Sequence, residues 1–502
     1  MRPVRAKVKL AEVIFYITKL MRMRTQVLSF LFFALGTAIS SAQDARIIEF
    51  KSGAFEFSNR HSEDGNLLVK YNADWQPDSQ YLQTHTLVIP DSVTYAGKRY
   101  ATVGIRCNAF SRCKGLEEVV LPPTLKEIWE EAFADCVNLR RLNIPMKVKE
   151  IYEAITEGCV SLERITVDAH NTTYMSPMGC NAIVCRDDSS LIAGCSSTVI
   201  PPLVRRIEKR SFGNQYFMEQ MTIPEGVEFI GTAAFAGCLS LKSVSLPQSL
   251  RILESKAFKD CRQLQSVFIP KNAHSIGNAF MECTSLRCVE VDKDNPYLDS
   301  RGHSNAVISK KDNALVMACS ATRIPGSVEE ITDIPFFGNY GITSVHIPAR
   351  VKKIDDWSFS FCPNLKKITV DSKNKTYDSR EDCNCIIETA TNKLLQGCSG
   401  SFIPSSVERI ADGAFMGACL PTVFRVPDTV KQIDARAFLG CTHVEVLILP
   451  STEMIRGKTV FNSCYSLRKV IFLKGKTISK DVFKDCPQLE QILYLEKDSK
   501  EM

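Results

Sequence analysis

A repeat constrains this chain more than any other feature. The segment Leu116-x-x-Val119-x-Leu121-Pro122 returns as Leu139-x-x-Leu142-x-Ile144-Pro145, then as Leu162-x-x-Ile165-x-Val167. Its last apolar position recurs at 121, 144, 167, 200, 223, 246, 269, 291, 324, 347, 370, 403, 426, 449, 472 and 494. Ten of these steps are 23 residues, two are 22 and three are 33. A chain of 502 residues would otherwise suggest about three separate domains. Spacing held this long means one small unit copied and stacked instead.

The unit runs Ile-Pro-x-x-Val-x-x-Ile-x-x-x-Ala-Phe-x-x-Cys-x-x-Leu-x-x-Val-x-Ile-Pro. Pro224 to Pro247 is a clear copy, with Val227, Ile230, Ala234, Phe235, Cys238, Leu241, Val244 and Leu246 at the apolar positions. Alternation in Val-x-Ile suits a short strand with one buried face. The proline that follows cannot donate to a continuing ladder, so it stops the strand. One unit cannot bury enough surface to fold alone, whereas stacked copies share a continuous core. The core ladder is read at Phe110, Phe133, Phe235, Phe258, Phe415 and Phe438, with Cys113, Cys136, Cys238 and Cys261 beside them. These patterns predict a right-handed solenoid poor in helix, with sixteen short strands in one long parallel β-sheet.

Three units are stretched to 33 residues, after Val167-Asp168, Val291-Asp292 and Val370-Asp371. Each insert carries two apolar segments around a turn such as Asp187-Asp188-Ser189 or Thr391-Asn392-Lys393, which reads as a β-hairpin. Such hairpins would decorate one side of the solenoid, stiffening it or widening a surface. Asp168/Asn171, Asp292/Asn295 and Asp371/Asn374 fit Asx turns opening the inserts.

The Ile-Pro, Ala-Phe-x-x-Cys and Leu-x-x-Val-x-Ile elements resemble the BspA-like leucine-rich-repeat family of secreted and surface bacterial proteins. The resemblance covers about Leu87 to Tyr494, and Val88 to Tyr100 looks like the entry hairpin of that family. It implies a leucine-rich-repeat-type solenoid. It also implies a binding role, since members of the family have been linked to adhesion to host proteins. The expected organisation is a signal peptide at 1–42, an N-terminal β cap at 43–86, the solenoid at 87–494 and a charged tail at 495–502.

The N-terminus reads as an address. Arg22 and Arg24 precede the apolar run Val27 to Leu35, and Ser40-Ser41-Ala42 ends the segment before Gln43. That is the pattern of a secretory signal peptide cleaved near Ala42. The alternative is an uncleaved anchor, but a bilayer span needs about 20 apolar residues and this run is shorter. Met21 or Met23 could be the true start, which would make residues 1–20 a misread leader. The protein is therefore expected to be exported, at the cell surface, extracellular or periplasmic, with no integral span after cleavage.

Chemical motifs are sparse. The net charge of +6 is mild for this length, which argues against a nucleic-acid partner. No Gly-x-Ser-x-Gly elbow, His-Glu-x-x-His pair, phosphate loop or dinucleotide fingerprint occurs in the sequence. No enzyme activity, cofactor or metal is therefore expected. Of the 20 cysteines, eleven sit at or beside the Ala-Phe-x-x-Cys position, where a buried thiol acts as a small hydrophobe. Export would permit disulfides. However, Gln215, Asn339 and Ser304 each replace one thiol without a matching loss elsewhere, which favours free thiols. Cys383-x-Cys385 has no paired ligand set of the kind zinc needs.

One surface feature points to a partner. The middle residue of Val-x-Ile must face away from the core. It is polar at Asn143, Thr166, Thr222, Ser245, Glu290, His346 and Thr369, but apolar at Ile448, Ile471 and Leu493, with Phe268 isolated. Adjacent turns would align the C-terminal three into an exposed stripe for a partner, either a protein or a surface glycan, or for self-association. The alternative is an envelope-organising protein with no dedicated ligand, its stripe covered by the tail or by a second copy.

Overall fold

A computed structural model describes residues 48–52, 55–60, 66–71 and 85–495. The expected signal peptide and residues 496–502 lie outside that range. Within it, three parallel ladders run along a solenoid, and each repeat without an insert contributes one rung to each ladder.

The first ladder is built from the Val-x-Ile strands. Thr86–Val88, Glu118–Val120, Arg141–Ile144 and Arg164–Val167 pair in parallel, the last three in register at the repeat spacing. Their side chains alternate, as in Arg141–Ile144, where Leu142 and Ile144 are buried while Arg141 and Asn143 are exposed. The second ladder uses two-residue strands at the x-Ile position, such as Glu127–Ile128 against Glu150–Ile151. The third is made by the Ala-Phe-x-x-Cys turn, whose backbone bonds cross between coils: Phe110 N–H to Ala132 O at 2.8 Å and Phe235 N–H to Ala257 O at 2.7 Å. The residue just before each cysteine is left-handed, among them Arg112, Asp135, Gly237, Asp260 and Gly440. Glycine and short polar residues recur there because a Cβ penalises that conformation.

The parallel solenoid stands as the repeat implies, but its Val-x-Ile sheet is segmented. The strands group as four, two, two, two and four. Three of the sixteen expected strands, those leading to Ile200, Ile324 and Ile403, do not form. The cause lies in the inserts. Val199 N–H donates to Cys180 O, Arg323 N–H to Ser304 O and Phe402 N–H to Cys383 O, so these backbones bond to the insert and not to a neighbouring rung. A further break separates Ser243–Ser245 from Ser266–Ile269.

The inserts are hairpins, and they do more than decorate. Ala182–Cys185 pairs antiparallel with Ser190–Gly194, which then pairs in parallel with Arg206–Ile207. The other two inserts repeat this with Ala314–Ala318 beside Glu330–Ile331 and Lys393–Gln396 beside Arg409–Ile410. Each hairpin thus supplies a rung of the second ladder. The expected Asx turns are present: Asp168, Asp292 and Asp371 each accept from the backbone N–H two residues on.

The core is aromatic. Phe212, Phe235, Phe258 and Phe280 stack with centroids 4.8–5.3 Å apart, and Phe415, Phe438, Phe461 and Phe483 do so at 5.2–5.5 Å. Shorter stacks join Phe110 to Phe133 and Phe336 to Phe359. At the N-terminal end, strands Phe55–Ser58 and Leu67–Tyr71 extend the second ladder through Lys98–Ile105, and Phe55 meets Phe110 edge-on.

Candidate binding surface

The stripe residues sit on the last three strands of the first ladder, Val446–Ser451, Lys469–Lys474 and Gln491–Tyr494. Register places Ile448 opposite Ile471, and Ile471 opposite Leu493. Their neighbours Leu447, Val470 and Phe472 are buried, so alternation turns the stripe outward. Leu493 is 37 % exposed and Ile448 and Ile471 are half-buried, each shielded by its neighbours along the row. Arg425 precedes Ile448 in the same register and closes the row with a charge. Val423 and Leu495, both exposed, widen the apolar patch at its corners.

Sequence reading missed a second patch. Val88 and Val120 hold the same outward position at the N-terminal end, pair in register, and are 61 % and 44 % exposed. Extending the Val-x-Ile pattern back through Leu87-Val88-Ile89 would have found them. Between the two patches the row is mostly polar, with Thr166 bonded to Asn143 at 2.9 Å and His346 to Thr369 at 3.0 Å, and Phe268 stands exposed in it.

The ladder thiols have a specific role. Cys136 donates to Phe110 O at 3.1 Å, Cys238 to Phe212 O at 3.3 Å and Cys261 to Phe235 O at 3.4 Å. Cys159, Cys283, Cys362, Cys441, Cys464 and Cys486 make the same bond to the phenylalanine of the preceding coil. Cys113, in the first rung, donates to Ser111 O of its own turn at 3.9 Å. Burial pushes the Cys159, Cys238 and Cys362 thiols up to about 12. They are therefore hydrogen-bonding hydrophobes and poor nucleophiles.

The structure also explains the missing rungs. Gln215, Asn339 and Ala418 each stand at the cysteine position of the first turn after an insert. There the preceding unit is a hairpin, which offers no phenylalanine carbonyl. Cys419, one residue further on, swings outward to His443 Nδ1 at 3.1 Å. Among the described residues, no group of three His, Cys, Asp or Glu side chains is placed to hold a metal ion. Nor is any helix long and apolar enough to cross a membrane.

The sequence model described as "BspA type Leucine rich repeat region (6 copies)" matches residues 82–178, 193–309, 316–393 and 392–500. The chain belongs to this family. Among solved structures, it is similar to a leucine-rich cell surface protein from Faecalibacterium prausnitzii, at 21 % identity and TM-score 0.41, with 92 % of this chain and 97 % of that one covered. A leucine-rich repeat protein from Bacteroides ovatus matches at 24 % identity and TM-score 0.35, covering 86 % of this chain and 94 % of that one. The pneumococcal vaccine antigen PcpA matches at 17 % identity and TM-score 0.34, over 90 % and 88 %. A comparison with curated proteins gives no match.

Proposed function

We propose that this BspA-type protein is an exported, non-enzymatic binding scaffold that holds another protein at the cell surface, and that its contact centres on Ile448, Ile471 and Leu493. The carrying observation is the in-register alignment of these side chains on the outward face of three adjacent strands. A rigid solenoid presents such a row without paying conformational entropy on binding. The row is aliphatic and flanked by a charge, which suits an apolar patch on a protein better than a glycan.

The test uses the purified full chain against arrayed extracellular-matrix proteins and glycans. Binding to a protein is expected, weakened at least about tenfold by Ile448→Ser with Ile471→Ser, with the thermal midpoint of the fold unchanged. Binding that survives the double substitution would place the contact elsewhere. Capture of glycans alone would overturn the choice of partner.

A further inference from the structure

Among the described residues, the C-terminal end of the solenoid is open. Its last coil leaves Phe483, Leu489, Ile492 and Tyr494 around a recess of about 430 Å³, and Leu489, Ile492 and Tyr494 are only partly buried. Beside the recess, Gln491–Tyr494 is an edge strand. Gln491 N–H and Leu495 N–H point inward, to Arg468 O and Phe472 O. Alternation therefore turns the N–H and C=O of Ile492 and Tyr494 outward, toward the place where the next rung would lie. An unpaired apolar edge of this kind is a template for another strand.

We propose that this edge pairs with its own copy, joining two chains end to end about a two-fold axis. Three observations select a second copy. First, the segment is self-complementary. With the axis at Leu493, Ile492 faces Tyr494 of the other chain and Tyr494 faces Ile492, and these are the residues whose backbone groups point outward. Antiparallel pairing gives such a pair both of its hydrogen bonds, and leaves Leu493 opposite Leu493 in the non-bonded position between them.

Second, the other end of the core is closed. Phe57, Leu67, Leu68 and Val69 of the N-terminal strands are fully buried over the first coil. Head-to-tail stacking is thereby disfavoured, and an isologous tail-to-tail contact ends at two chains instead of growing into a filament. Third, Glu496 to Met502 carries five charges and one apolar side chain, too little to fill an apolar recess. Pairing also brings the two stripes together, so that Ile448, Ile471 and Leu493 of each chain form one row across the axis. This goes beyond the proposed function, because the edge and recess are separate from Ile448 and Ile471.

Sedimentation velocity and light scattering on the full chain test the pairing. The expected result is a mass rising from one chain to two with concentration, and stopping there. Amide exchange at Ile492 and Tyr494 should slow over the same range, a readout that needs no variant. Leu489→Lys with Ile492→Lys should hold the chain at one mass while retaining partner capture. Ile448→Ser with Ile471→Ser should lose capture and still pair, so the two proposals fail separately. A chain that stays single at every concentration, with both amides unprotected, overturns the pairing. So does a chain that pairs only after residues 496–502 are removed, since the tail would then be the cover.

Discussion

At the scale of the residue, each repeat position performs two tasks. Phenylalanine fills the coil and stacks on its neighbours, while its carbonyl takes the thiol of the following coil. Phe235 is fully buried between Phe212 and Phe258, at 4.8 and 5.0 Å, with rings nearly parallel. Phe235→Ala removes a ring that neither neighbour can replace, and should cost about 3–5 kcal/mol. Chemical denaturation would measure it, and an unchanged midpoint would show that the stack contributes little. Thiol accessibility gives a second check. Iodoacetamide on the native, reduced chain should label exposed Cys107 and the His443-facing Cys419 first. Cys136, Cys159, Cys238 and Cys261, all buried, should react only on unfolding. Early labelling of those four would contradict the thiol-to-carbonyl ladder.

At the scale of the element, the inserts depend on one asparagine each. Asn171 Nδ2 donates to Pro145 O at 2.8 Å and Val148 O at 3.0 Å, while its Oδ1 accepts from Thr173 N–H and Tyr174 N–H. Asn295 and Asn374 repeat these bonds in the other inserts. The side chain thus ties the insert to the preceding coil. Asn171→Ala removes the partner of Val148 O, Thr173 N–H and Tyr174 N–H, while Pro145 O keeps the Val148 N–H, and should cost about 2–3 kcal/mol. Asn171→Asp keeps the two acceptances but sets a buried carboxylate oxygen against Pro145 O and Val148 O, so it should melt below the parent at neutral pH and recover as the pH falls and the acid is protonated. Equal stability of all three would make the asparagine incidental. The sequence made the strands, the Ala-Phe-x-x-Cys turn, the hairpins and the Asx turns legible, because each is local chemistry repeated many times. The hairpin's place in the second ladder was not legible. Parallel pairing of Ser190–Gly194 with Arg206–Ile207 rests on two residue pairs and leaves no periodic signal. The stripe could be read from alternation, whereas the edge strand beside it required knowing where the last rung ends.

At the scale of the whole molecule, the three inserts are not equivalent joints. Around the first, Gly158 N–H reaches Gly213 O at 3.0 Å and Arg210 bonds Glu131 and Glu157, so the turn ladder closes over the hairpin. Around the third, Phe361 N–H reaches Met416 O at 2.8 Å, and Asp412 joins Arg436 to Trp357. The second has no such bond among the described residues. A void of about 30 Å³, room for a single water, lies between Asn278, Glu282, Phe337 and Gly338. The crossing segment is strained as well: Asp333 and Ile334 are left-handed at φ 62° and 49°, a conformation that costs a β-branched residue most. Desolvation and the facing Asp355 hold the Asp333 carboxyl above its ordinary value, with Lys353 opposing. The folded state therefore favours the protonated acid. That favourable contribution is present below the ordinary carboxylate range and is lost as pH rises through the elevated folded value, so at neutral pH the ionised pair weakens the joint. In a solenoid, where stability is set between neighbours, opening should begin at this joint. Hydrogen exchange at pH 7 should show residues 333–339 opening at lower free energy than 210–215 or 412–417. Asp333→Asn removes the repulsion and suits the left-handed backbone, so it should slow that exchange and raise the thermal midpoint. The gain over the parent should shrink as the pH falls and Asp333 takes up its proton. Equal protection at all three joints, or an Asn variant no more stable at pH 7 than in acid, would show that the void and the carboxylate pair do not set where the solenoid opens.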